Sequence, residues 1–155
     1  MTKPCIFVVM DARALYLKIA NYCAYQERSL QDVEAKFKKW EVPEDLHNEF
    51  IKLLIEDGYL DQERFVNTYT RGKIYLKKWG KTKIRMYLKN KGIDEDTINN
   101  SLSKVDNTDY LDTAKKLALA KKSQLKGKDT TTVTKQKIFR YLLSKGYEAD
   151  VVMQA

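Results

Sequence analysis

Residues 80–98 read GKTKIRMYLKNKGIDEDTI, and the same pattern occurs twice more, as SLQDVEAKFKKWEVPEDLH at 29–47 and TKQKIFRYLLSKGYEADVV at 134–152. The copies are offset by 51 and then 54 residues. Superposing them brings together Val33, Ile84 and Ile138, then Phe37, Leu88 and Leu142, then Val42, Ile93 and Tyr147. Gly92 and Gly146 also coincide, opposite Glu41 in the first copy. Shared apolar residues four apart lie on one face of a helix. A period near 50 residues marks stacked units that bury their apolar faces on one another. The expected fold is therefore all-α: three tandem three-helix repeats stacked into an elongated, curved helical array of right-handed type, although the pattern does not fix the hand.

Working outward from the aligned blocks, repeat 1 spans 11–60, repeat 2 spans 61–106 and repeat 3 spans 107–155, together forming one repeat-built domain. In the first repeat, 11–26 carries Leu15, Ile19, Tyr22 and Cys23 at helical spacing. Ser29 and Asp32 form a capping-box-like start to a second helix, and Pro43 suits the first turn of a third that Gly58 stops. Asp61 opens a helix through about Lys78, with Phe65, Tyr69 and Ile74 inward. Helices follow over 80–91, 94–105, 108–126 and 134–145, leaving only 148–155 for a short ninth. Residues 1–10 form a leading segment packed on the first helix: the apolar run Cys5–Met10 is too short for a signal core or a membrane span.

Net charge is +8, and its distribution says more than its size. Segments 71–93 and 115–147 each carry +9, separated by acidic stretches 43–70 and 94–114 of −5 each. Basic blocks on successive repeats suit a polyanion tracked along its backbone. Lys81, Arg85 and Lys89 recur at i, i+4 opposite Ile84 and Leu88, a like-charge arrangement that costs an isolated helix a few tenths of a kcal/mol per pair unless an anion is present. Lys73, Lys77 and Lys78 precede this stripe, and Lys135 and Lys137 are the repeat equivalents of Lys81 and Lys83. Candidate binding residues are Arg28, Lys73, Lys77, Lys78, Lys81, Lys83, Arg85, Lys89, Lys122, Lys126, Lys135, Lys137 and Arg140. Tyr59, Phe65, Tyr69 and Tyr87 sit at core spacing and are expected to pack rather than to stack bases, and Trp40 to seal the turn between the second and third helices. His47, the one histidine, falls opposite Ile98 and Val152, so it is expected to be a partly buried helix residue. No catalytic triad, zinc cluster or phosphate loop is visible. Cofactors are expected to be none, and Cys5 and Cys23 free thiols of a cytoplasmic protein.

The segment Gly58-Tyr59-Leu60-Asp61-Gln62-Glu63-Arg64-Phe65, the elements Lys78-Trp79-Gly80 and Lys91-Gly92-Ile93, the Glu27-Arg28-Ser29 start and the closing Lys145-Gly146-Tyr147 with Asp150 together resemble the RecX family from about residue 11 onward. Departures are Gln62 in place of an acid, Val66 in place of alanine and Ser144 in place of arginine. The resemblance implies a non-enzymatic monomer that lodges in the groove of a RecA filament and contacts both protein and DNA. It further implies inhibition of RecA's ATPase, strand-exchange and co-protease activities in DNA repair and the SOS response. Two readings from other classes are a helical module binding single- and double-stranded DNA without sequence preference, and a repeat scaffold binding only protein. Neither a base-reading helix rich in Asn, Gln and Arg nor a membrane segment is present. If about five phosphates are contacted on duplex DNA, log affinity falls with log salt at a slope near −4.5. A sequence-selective, salt-insensitive affinity would point instead to a transcription factor.

Overall fold

The computed structural model describes residues 5–125, 127 and 129–155, and among these no residue lies in a strand. The elements are α1 (Cys5–Tyr25), α2 (Leu30–Lys39), α3 (Glu44–Glu56), α4 (Gln62–Arg71), a π-helical turn (Gly72–Leu76), α5 (Lys81–Asn90), α6 (Glu95–Ser103), α7 (Asn107–Leu125), α8 (Thr131–Lys145) and α9 (Ala149–Gln154). Two compact units result, 1–65 and 66–155, with the boundary inside α4. The fold is all-helical in three-helix repeats, as the aligned blocks predict.

In the first unit, Ile19 and Cys23 of α1, Val33 and Phe37 of α2, and Phe50 and Leu54 of α3 form one buried cluster. Ser29 and Asp32 exchange side-chain and backbone hydrogen bonds in a full capping box. His47 is half-buried, stacked on Phe37 at 4.6 Å and bonded to the Val42 carbonyl at 2.8 Å. In the second unit, Ile84 and Leu88 of α5, Ile98 of α6 and Leu142 of α8 are fully buried.

One turn recurs in every repeat. The amides of Val42, Ile93 and Tyr147 donate to the carbonyls of Phe37, Leu88 and Leu142 at 2.8, 3.1 and 3.2 Å. Those are the aligned residues, and the bond is the closing one of a Schellman-type helix end. Each turn needs one left-handed residue, supplied by Glu41 (φ 53), Gly92 (φ 79) and Gly146 (φ 98). Glu41 thus adopts the glycine conformation without being glycine.

Some boundaries move. Residues Cys5–Met10 belong to α1 and are not a separate leading segment packed on it. The helix expected to run from Asp61 to Lys78 is α-helical only to Arg71 and then widens into the π turn. The inward spacing explains this: Phe65 to Tyr69 is four residues, but Tyr69 to Ile74 is five, which a wider turn absorbs. α8 starts at Thr131, capped by the Thr130 hydroxyl, a turn earlier than the repeat alignment suggests. Ile138, aligned with fully buried Val33 and Ile84, is only half-buried. The six-residue α9 leaves it in an open groove of about 720 Å³ with Phe139, Val152 and Met153.

Repeats 2 and 3 meet backbone to backbone. Gly80 N–H donates to the Lys145 carbonyl at 2.7 Å and Thr82 N–H to the Gly146 carbonyl at 2.9 Å. A Cβ on Gly80 would lie 2.0 Å from the Gly146 carbonyl carbon, and one on Gly146 would lie 2.3 Å from the Lys83 Cβ. The Tyr147 hydroxyl donates to the Lys78 carbonyl at 3.0 Å.

Three substitutions test this account by denaturant unfolding. Gly80→Ala is expected to cost about 3 kcal/mol through enforced overpacking, whereas Gly72→Ala, whose Cβ meets nothing within 4 Å, is the tolerated control. Glu41→Gly is expected to stabilise by about 0.5–1 kcal/mol, because relief of the left-handed strain exceeds glycine's added freedom in the unfolded chain. A destabilised Glu41→Gly protein would contradict the shared-turn assignment.

Candidate nucleic-acid interface

The basic block at 71–93 divides over two faces of α5. On one face, Lys81, Arg85 and Lys89 approach α6 and the start of α7. Arg85 donates to Glu95 at 3.2 Å and to Asn99 at 2.5 Å, Lys89 pairs with the same Glu95 carboxylate, and Lys81 reaches Asn107 at 3.3 Å. The Lys81 amide donates to the Tyr110 hydroxyl at 2.9 Å, and that hydroxyl donates to Glu148 at 3.0 Å. Burial, with Glu148 close by, holds the Tyr110 phenol well above its usual range. The anion required by the i, i+4 cations is therefore supplied by the chain itself. Glu95 is held below the usual carboxylate range, first by the hydrogen bond from Lys89 and then by the charges of Lys89 and Arg85.

On the other face, Trp79, Lys83 and Tyr87 follow one another at i, i+4. The Lys83 ammonium lies 4.2 Å from the Trp79 ring centroid and that of Lys73, on the π turn, lies 4.4 Å from it. Tyr69 stacks on Tyr87 at 5.1 Å and Trp79 meets Tyr87 edge-on at 6.3 Å. Lys77 and Lys78 are exposed just before Trp79, with Lys78 left-handed at φ 56. Among the described residues, Lys73, Lys77, Lys78 and Lys83 have no carboxylate partner. Of the aromatics expected to pack, Phe65 is buried, while Tyr87 packs on Tyr69 and Trp79 yet is 43% exposed, and Tyr59 is 37% exposed. Position 87 lies at the edge of the face that carries Ile84, turned toward Trp79, so Tyr87 is only partly covered.

The remaining candidates scatter. Arg28 lies 3.8 Å over the Tyr22 ring and donates to the Tyr22 carbonyl at 3.2 Å, satisfying the end of α1. Trp40 packs edge-on against Tyr22 of α1 at 5.9 Å, and so closes on α1 as well as ending α2. Lys137 is paired with Asp129 at 2.6 Å. Lys122, Lys135 and Arg140 are exposed on α7 and α8, the first two beside the groove of the third repeat. Lys126 lies outside the described residues. The sequence reading missed the Trp79 pair, for which spacing held one signal: Trp79, Lys83 and Tyr87 are four apart, as are Lys81, Arg85 and Lys89. It also missed Glu95 as a partner, because a carboxylate in a first helical turn already has a reason to be there.

Among the described residues no group of histidines, cysteines and carboxylates is placed to hold a metal ion, and no helix is long and apolar enough to cross a membrane.

Comparison with known proteins places these repeats. Residues 61–102 match the second three-helix domain of RecX and residues 108–155 the third. A regulatory protein RecX of Leuconostoc mesenteroides is 30% identical over 142 residues, covering 91% of this chain and 53% of the relative. One of Clostridium perfringens is 38% identical over 125 residues, covering 80% and 57%. The chain thus spans about half the length of these relatives. The crystal structure of RecX from Lactobacillus salivarius is similar with a TM-score of 0.83 at 25% identity, covering 94% of each chain. A second crystal structure, of a regulatory protein RecX, has a TM-score of 0.83 at 27% identity and covers 92% of this chain and 70% of the other.

The Glu95 bridge makes a prediction about charge reversal. Arg85→Glu with Lys89→Glu is expected to lower the thermal midpoint, and adding Glu95→Arg to restore most of the loss. Because Glu95 is depressed in the folded chain, its contribution is complete above the ordinary value of 4.5 and disappears as pH falls through the folded value. The stability gap between wild type and Glu95→Gln should therefore close on acidification. A gap that widened would place the stabilising charge elsewhere.

Proposed function

The chain belongs to the RecX family, whose relatives are named regulatory proteins, and we propose that it binds the RecA–DNA filament in the cytoplasm and inhibits RecA's recombinase, ATPase and co-protease activities. The observation that carries this reading is the coincidence of the family's second and third domains with the compact unit 66–155, which holds the carboxylate-free lysines around Trp79. Regulation by such a protein needs no reacting group of its own. It needs a surface that holds a filament in a state the recombinase cannot use.

Lys73, Lys77, Lys78 and Lys83 in the second repeat, with Lys122, Lys135 and Arg140 in the third, are the proposed contacts to DNA phosphates and acidic protein surface. Lys81, Arg85 and Lys89 contribute less, because Asn107, Glu95 and Asn99 already hold them and binding would have to break those contacts.

The test is RecA ATPase on single-stranded DNA, titrated with wild type and with Lys77→Glu/Lys78→Glu. Both residues are exposed, so the variant is expected to keep its helicity and to inhibit with clearly reduced potency. Equal potency would remove Lys77 and Lys78 from the contact. No inhibition of the cognate recombinase by wild type would overturn the reading itself.

A further inference from the structure

We propose that the Trp79 face of α5 is a single-stranded nucleic-acid site in its own right, with Lys73 and Lys83 holding phosphate and Tyr87 offering its ring to a base. The inference deepens the filament-binding reading and rests on it for biological context, but its chemistry is testable without any recombinase.

Four observations converge. Two ammonium groups lie within 4.4 Å of one indole centroid, brought from separate elements, the π turn and α5. Neither has a carboxylate partner among the described residues, whereas each cation of the neighbouring 81/85/89 row has a polar or acidic one. Two like charges gathered on one ring without a counter-ion gain from an external anion. The ring also fixes where they sit, which reduces the ordering cost of binding. Beside them, Tyr87 is backed on one side by Tyr69 at 5.1 Å, has the Lys91 ammonium 5.9 Å from its centroid and remains 43% exposed, so the ring is held in place, partly open to solvent and flanked by a further cation. Met86 on the same helix is also exposed, at 61%.

Cations alone would serve duplex DNA, whose accessible surface is its phosphate backbone. A supported, exposed aromatic between cations suits unpaired bases, which present π-faces of any sequence. The pairing therefore favours a single strand over a duplex, and over an acidic peptide, which has nothing to stack.

Trp40 and Trp79 are the two tryptophans, so a Trp40→Phe chain reports on Trp79 alone. Its fluorescence is followed while oligothymidylate is added, with no recombinase present. Saturable quenching is expected. In the same background, Lys73→Gln/Lys83→Gln should weaken affinity at least tenfold, about 1.4 kcal/mol. It should also flatten the slope of log affinity against log salt by about 1.4, as two lost single-strand phosphate contacts require. Tyr87→Ala should weaken binding about fivefold and Tyr87→Phe hardly at all, which separates stacking from a hydroxyl contact. Arg85→Gln/Lys89→Gln should change affinity less than twofold. Circular dichroism of each variant checks folding, and the unmutated lysines of the Trp40→Phe chain keep the quenching arm informative if a variant unfolds.

Absence of quenching overturns the proposal. So does an equal loss in the Arg85/Lys89 variant, tighter binding to a duplex of the same length, or equivalent quenching by oligoglutamate, which would make the surface a protein site. Loss of oligothymidylate binding with intact inhibition of RecA would leave the site standing and place the inhibitory contact elsewhere. The reverse result would overturn the site alone.

Discussion

Gly80 and Gly146 touch through their backbones, and much of the second unit is organised by that contact. Helix α5 starts where its first free amides would otherwise lack partners. The third repeat supplies the partners: the Lys145 and Gly146 carbonyls and the Tyr110 hydroxyl accept from Gly80, Thr82 and Lys81. Any side chain at residue 80 would push the two segments apart. Tyr147 is almost fully buried and returns to the Lys78 carbonyl, so it fixes the chain just ahead of Trp79. The repeats are thus joined by a helix cap shared between them, in addition to packed apolar faces.

That cap sits at the base of the proposed binding surface. Lys78, Trp79 and Gly80 are consecutive: one is held by Tyr147, the next carries two ammonium groups, and the third touches Gly146. The π turn completes the arrangement by bringing Lys73 to the same indole that Lys83 meets from α5. A regular α-helix through Gly72–Leu76 would rotate Lys73 and Ile74 together relative to Tyr69 and carry Ile74 off the inward face. Lys78 has a left-handed backbone, and its carbonyl is held by the Tyr147 hydroxyl.

Much of the fold was legible because it rests on local rules. Four-residue apolar spacing gave the buried faces, Ser29 with Asp32 gave a cap, and the aligned Val42, Ile93 and Tyr147 marked the recurrent turn. The third copy exposed the limit of alignment. Ile138 occupies a core register, but burial there requires a partner of sufficient length and α9 has six residues. The site was less legible because charge pattern does not reveal where a charge is already satisfied. Lys81, Arg85 and Lys89 form the more regular row, yet Glu95 and the asparagines of α6 and α7 hold them. Lys73 and Lys83 are ten residues apart with a π turn and a left-handed lysine between them, a geometry that helical periodicity does not anticipate.

The proposed function requires that this surface act on a filament more strongly than on DNA by itself. Co-sedimentation measures it most directly: the protein is spun with preformed RecA filaments on single-stranded DNA and, in parallel, with the same DNA alone at the same salt. The account predicts markedly greater retention on the filament, because protein contacts add to those made with phosphate. Equal retention on filament and naked DNA would contradict it, leaving a DNA-binding protein with no preference for the recombinase.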